Sequence, residues 1–105
     1  MNIKFEWDAP KAASNKKKHK ITFEEAKTVF FDENAIVIHD EEHSEDEERF
    51  VILGISAIAR LLVVCHCFRK KGSVIRIISA RKATKRESIQ YHGGDYEKRI
   101  LFFKR

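Results

Sequence analysis

The chain has little of what usually punctuates or modifies a fold. It contains one proline, four glycines and two cysteines in 105 residues. With so few breakers and no linker-like stretch or internal repeat, a single domain spanning 1–105 is expected. No apolar run reaches the length needed to span a bilayer, so no membrane partner is expected. The opening MNIKFEWD lacks the apolar core of a secretory leader, which places the chain in the cytoplasm by expectation. Cys65 and Cys67 are two apart, so on a strand they share a face. In a reducing compartment they read as small core residues rather than a disulfide. There is no Walker loop, GxGxxG or HExxH, and no recognisable serine-protease spacing. No cofactor and no metal are expected, and any chemistry should need only acids, bases and cations.

What is present is charge, unevenly placed. Residues 32–48 hold nine Asp or Glu and no Lys or Arg. Residues 49–105 hold fourteen Lys or Arg against Glu87, Asp95 and Glu97, a local balance of +11. A field of that sign attracts polyanions and is screened by salt. Eight phenylalanines and 43% hydrophobic residues are enough for a packed core beneath it.

Residues 3–7 alternate and suit a short strand or an extended lead-in. Asp8 is placed to cap a helix over about 9–18, with Pro10 tolerated in its first turn. Thr22-Phe-Glu-Glu25 has the form of a capping box, starting a helix over 23–31 whose Phe23, Ala26 and Phe30 face the core. Four strands follow, at 35–39, 49–55, 60–68 and 74–80, with the acidic 40–47 as a hairpin loop. The short connections favour an antiparallel meander. Thr84-Lys-Arg-Glu87 repeats the capping box and starts a helix ending at Gly93-Gly94. The apolar tail, with Ile100-Leu-Phe-Phe103, suits strand or helix equally.

The densest chemistry is Arg76-Ile-Ile-Ser-Ala-Arg81 with Lys82, Lys85 and Arg86. Regular alternation would put Arg76, Ile78 and Ala80 on one face and Arg81 on the other. Cations at a helix start oppose its dipole, and phosphate binding is one reason to gather them there. The competing reading is that the acidic loop folds over and neutralises them. His19 lies within Lys16-Lys-Lys-His-Lys20, and a neutral imidazole among cations can accept a proton; an ordinary surface histidine is an equal reading. His66, between the cysteines, points away from both thiols on a strand and cannot join them around one ion. His39 and His43 read as loop or strand-end residues beside acids.

These segments together resemble the BrnT family of ribonuclease toxins. The resemblance is carried by Phe5-Glu-Trp-Asp8 with Lys11 and Asn15, Lys18-His19, Phe23-Glu-Glu-Ala26 with Val29-Phe30 and Asp32, Asp40, His43-Ser44, Glu48-Arg49, Gly54, Arg60-Leu-Leu-Val63, and Arg76 to Arg81 with Ala83, Glu87 and Tyr91. Lys20 departs from it, standing where the family usually has glycine. The resemblance implies an α+β, RelE-like fold, with helices on a small, mainly four-stranded antiparallel sheet. It implies translation inhibition by RNA cleavage, with RNA as substrate. It also implies neutralisation by a BrnA-like antitoxin with a ribbon-helix-helix DNA-binding domain, and operator DNA bound only by the complex. A metal-free cut needs a base for the 2′-OH, cations for the transition state and an acid for the leaving oxygen. On that expectation His19, Arg49, Arg60, Arg81, Glu48 and Tyr91 are the catalytic candidates. Lys18, Arg76, Lys82, Lys85 and Arg86 are the RNA-binding ones. The alternative is a non-catalytic nucleic-acid-binding or protein-interaction domain of the same fold.

Overall fold

The computed structural model describes residues 3–93. The chain runs β1 (Lys4–Glu6), α1 (Ala9–His19), α2 (Phe23–Thr28), β2 (Ile36–Asp40), β3 (Arg49–Ile55), β4 (Leu61–Arg69), β5 (Val74–Lys82) and α3 (Lys85–Gly93). The expected tail lies outside the described residues.

Strands β2 to β5 form the expected antiparallel meander, but the sheet has five strands rather than four and is mixed. The segment read as a strand or lead-in is the fifth strand. β1 pairs parallel to β5, with Phe5 opposite Ile75 and Glu6 opposite Arg76, giving the order β1-β5-β4-β3-β2. Parallel pairing needs a long return, and the rest of the chain between β1 and β5 supplies it.

The helix starts follow local chemistry. Asp8 accepts from the Lys11 amide at 3.0 Å, and Pro10 sits in the first turn of α1. Four basic residues fill the last turn of α1, where they complement its dipole. Lys20 ends it in the left-handed region, φ 61°, a conformation glycine takes without steric cost. Thr22 caps α2 through the Glu25 amide at 3.1 Å. The reciprocal half of that box does not form, because Glu25 turns to Ser56 and Arg60 instead. The helix also stops earlier than expected. It tightens into a 3-10 turn at Val29–Phe31, which makes Val29 the fully buried residue and leaves Phe30 half-buried. Only the second box closes both ways: Thr84 Oγ1 accepts from the Glu87 amide at 3.1 Å, and Glu87 accepts from the Thr84 amide at 2.8 Å.

Two apolar layers hold the sheet. On one face Ile21, Phe23, Ala26 and Val29 from the helical segments pack on Ile52, Leu62, Val64, Ile77 and Ala80. On the other, Ile36, Ile38, Leu53 and Val63 are covered by Tyr91 of α3. Close approach on the first face requires Gly54, where a Cβ would lie 2.8 Å from Val29 Cγ1. The regular alternation expected along 76–81 fails. A bulge between Cys65 and His66 lets Cys65 pair with Ser79 but His66 with Ile77, so Ile78 is an extra residue. Ile77 and Ala80 therefore both enter the helix-side core. Arg76 and Arg81, each next to one of them, point to the opposite face.

β1 ends at Glu6, leaving the rest of the β5 margin without a strand partner. Asn15 of α1, 7% exposed, closes it. Its amide accepts from the Ala80 N–H at 3.0 Å and donates to the Ala80 and Ile21 carbonyls at 2.9 and 3.1 Å. One helical turn later, His19 lies on the same side of α1.

Candidate nucleic-acid cleavage site

Helix α3 covers only part of its face of the sheet. Beside it lies a cavity of about 280 Å³ whose walls include His19, His43, Arg49, Cys65, Ser79 and Arg81. These side chains come from α1, the β2–β3 loop and strands β3, β4 and β5. His19 reaches the cavity because Asn15 fixes α1 against the β5 margin. Arg49 and Cys65 reach it because they alternate with core residues on β3 and β4.

Arg81 is the most strongly held cation there. Its two terminal nitrogens donate to the two oxygens of Glu87 at 2.8 and 2.9 Å. The Glu87 side chain is 6% exposed and that of Arg81 42%. Burial pushes the Glu87 carboxyl up, but the Arg81 guanidinium and the Thr84 amide outweigh it and hold it below the ordinary range. The Glu87 carboxylate in turn raises the pKa of Arg81 further. The neutralising partner of Arg81 is thus Glu87 rather than the acidic loop. Burial lifts the Cys65 thiol to about 11 despite nearby Arg49, so it is a protonated wall and not a nucleophile at neutral pH.

The acidic loop borders the cavity on one side. A second hollow of about 380 Å³ is lined by Glu42, His43, Glu45, Asp46, Glu47 and Arg49. His43 and Arg49 are the wall common to both. Glu47 pairs with Arg69 at 3.0 Å.

The remaining expected residues lie elsewhere. Arg60 is on the helix side of the sheet, bound by both oxygens of Glu25 and reaching the Lys20 carbonyl at 3.4 Å. The Arg60 hydrogen bonds lead in holding the Glu25 carboxyl below its usual range. Arg76 shares the cavity's face but pairs with Glu6 at 2.8 Å near the β1 edge. Lys82 is exposed, its charge helps lower the Glu25 carboxyl, and as the neighbour of Arg81 on β5 it belongs to the other face of the strand. Lys18 is exposed on the last turn of α1, and Lys85 and Arg86 are exposed at the start of α3. Glu48 is exposed in the loop before β3 and lines neither hollow. Tyr91 is buried under α3 and donates its hydroxyl to Asp32 Oδ2. Burial first, then that bond, raises the phenol to about 12. Asp32 also accepts from the Ile55 and Asn34 amides at 2.8 and 2.9 Å, so Tyr91 ties α3 to the core.

By sequence His43 reads as a loop or strand-end residue beside acids, and Asp40 and His43 otherwise enter only through the family resemblance, with no role in the site. His43 Nδ1 lies 2.9 Å from Asp40 Oδ2. The signal was present as a histidine three residues after an aspartate, but such a spacing in a charged loop is common. His66 lies on the opposite face from both thiols, 1% exposed and edge-on to Phe30 at 4.7 Å. Its burial lowers its pKa to about 4.

Comparison with known proteins adds an independent line. A family model described as ribonuclease toxin, BrnT, of type II toxin–antitoxin system matches residues 7–87. The 1.1 Å crystal structure of the Brucella abortus ribonuclease toxin BrnT superposes with a TM-score of 0.61 at 22% identity, covering 80% of this chain and 100% of that one. No curated protein sequence matches.

Proposed function

The chain belongs to the BrnT family of ribonuclease toxins of type II toxin–antitoxin systems, and from that premise we propose that it is a cytoplasmic endoribonuclease of RelE-like fold. Its cut needs no metal: the ribose 2′-OH attacks the neighbouring phosphate, and translation stops as RNA is lost. The observation that carries this reading is the convergence of His19, Arg49 and Arg81 on one cavity of the sheet.

A phosphate seated between Arg49 and Arg81 meets the Arg49 guanidinium and the positive charge of Arg81, whose fork is turned to Glu87, and the two cations stabilise the extra negative charge of the pentacovalent transition state. Glu87 holds that fork in place before substrate arrives. His19 takes or gives a proton at the reacting oxygens. Arg76, farther along the same face, and Lys18, Lys85 and Arg86 at its margins extend the cationic track for the RNA chain. Lys82 contributes only general field, since it alternates with Arg81 to the other face of β5. Arg60 and Tyr91 serve the fold through Glu25 and Asp32, and Glu48 stands outside the reacting centre. A BrnA-like antitoxin with a ribbon-helix-helix DNA-binding domain neutralises the toxin, and operator DNA binds only the complex.

The test is cleavage of RNA by purified protein in EDTA. The wild type cuts RNA but not the same sequence with deoxyribose at the scissile position. Arg49→Ala slows the cut by about 100-fold or more, as expected for loss of one charge-stabilising group. Salt-sensitive RNA binding without any cut would replace this reading with the non-catalytic one.

A further inference from the structure

The geometry points to His43, held by Asp40, as the second proton-transfer group of the cleavage, working across the cavity from His19. This rests on the ribonuclease reading above and goes beyond it by supplying the partner that a two-proton reaction requires.

Three observations carry it. First, His19 and His43 line the same cavity as Arg49 and Arg81, brought there by two separate elements: the end of α1 and the β2–β3 loop. Second, the ring of His43 is oriented. Its Nδ1 donates to Asp40 Oδ2 at 2.9 Å, leaving Nε2 as the ring atom available to a ligand. A histidine whose other nitrogen is fixed by a carboxylate is suited to proton transfer at a reacting oxygen. Third, the loop carrying it is braced despite its charge. Ser44 Oγ donates to the Asp40 carbonyl at 2.6 Å and accepts from the Arg49 amide at 2.9 Å. The same serine therefore fixes the turn that presents His43 and the strand end that presents Arg49. His43 is 62% exposed, so it contributes no core packing that would explain the brace.

The step balances with two such groups. One histidine removes the 2′-OH proton as the O2′–P bond forms. The other donates a proton to O5′ as the P–O5′ bond breaks. The products are a 2′,3′-cyclic phosphate and a 5′-hydroxyl, and the histidines regain their starting forms by exchange with water.

The test uses the full chain, a short RNA, and the same RNA with sulfur in place of the scissile 5′-oxygen. A thiolate leaves without a proton, so loss of the acid is masked on the sulfur substrate and loss of the base is not. His43→Gln and His19→Gln should each slow cleavage of ordinary RNA by about 100-fold or more. One of the two should recover near wild-type speed on the sulfur substrate while the other stays slow. Asp40→Asn should show a smaller loss and follow the substrate pattern of His43→Gln, as a positioning residue does. The inference is overturned if folded His43→Gln cuts ordinary RNA within about threefold of wild type, or if both or neither histidine variant recovers. A wild-type protein that cuts neither substrate would sink the ribonuclease reading itself, and this inference with it.

Discussion

On the proposed mechanism Arg81→Ala abolishes RNA cleavage, yet it perturbs the fold as well. Arg81 is the only charged side chain bonded to Glu87 among the described contacts, and it makes two bonds to that buried carboxylate. Removing it leaves Glu87 with the backbone amide of Thr84. Breaking a fully buried pair costs about 3–5 kcal/mol. Arg81 is 42% exposed, so water and salt reduce that figure, and about 2 kcal/mol is expected. For a domain of this size that lowers Tm by roughly 8–16 °C. The pH dependence has a definite sign. The folded pKa of Glu87 is depressed, so its contribution is complete above the unfolded value of about 4.3 and is lost as pH falls through the folded one. Wild type and Arg81→Ala should therefore differ most at neutral pH and converge in acid. Adding Glu87→Gln to Arg81→Ala removes the stranded charge and should restore part of the loss. Thermal unfolding followed by circular dichroism at several pH values measures all of this. A variant melting within about 2 °C of wild type at pH 7 would refute the reasoning, as would a gap that persists unchanged in acid. Activity lost in Arg81→Ala is attributable to chemistry only below its melting transition.

Two further outcomes follow from groups outside the cavity. Burial of His66 as a neutral ring costs stability when the unfolded chain can protonate and the folded one cannot. Between the unfolded value of 6.5 and the folded value of about 4, wild type should lose up to about 3 kcal/mol; His66→Leu should flatten that slope in denaturant titrations, and an unchanged slope would contradict it. Gly54→Ala places a methyl 2.8 Å from Val29 Cγ1 and 3.1 Å from Asp32 Oδ2, and should destabilise by about 1–3 kcal/mol in the same titrations, with a wild-type midpoint as the contrary result.

Much of the scaffold was legible because it is written in local chemistry. Asp8, Thr22 and Thr84 start helices where capping residues should, and Arg49–Ile55 is a strand with the bounds its pattern suggests. What escaped is non-local. Nothing within Lys4–Glu6 says that it will lie parallel to a strand seventy residues away. The bulge at Ile78 breaks alternation without a glycine or proline to mark it. Of the candidate site, Arg49, Arg81 and His19 converge, whereas Arg60 is drawn to the opposite face by Glu25, a partner that also empties half of the first capping box. Asp40 and His43 are named from the sequence but carry no site role there, because their alignment depends on the brace at Ser44, which a sequence does not display.

The amide of Asn15 also governs how this molecule meets its own copies. A β-margin with free donors and acceptors is a template on which another chain can lengthen the sheet. At Ala80 both groups are already taken by a side chain that itself cannot propagate pairing. Self-assembly by strand stacking is thus blocked at the end of the sheet that carries the arginine cavity, and the residue that blocks it belongs to the helix that brings His19 there. Loss of that one amide would unseat the histidine and uncover an adhesive edge together.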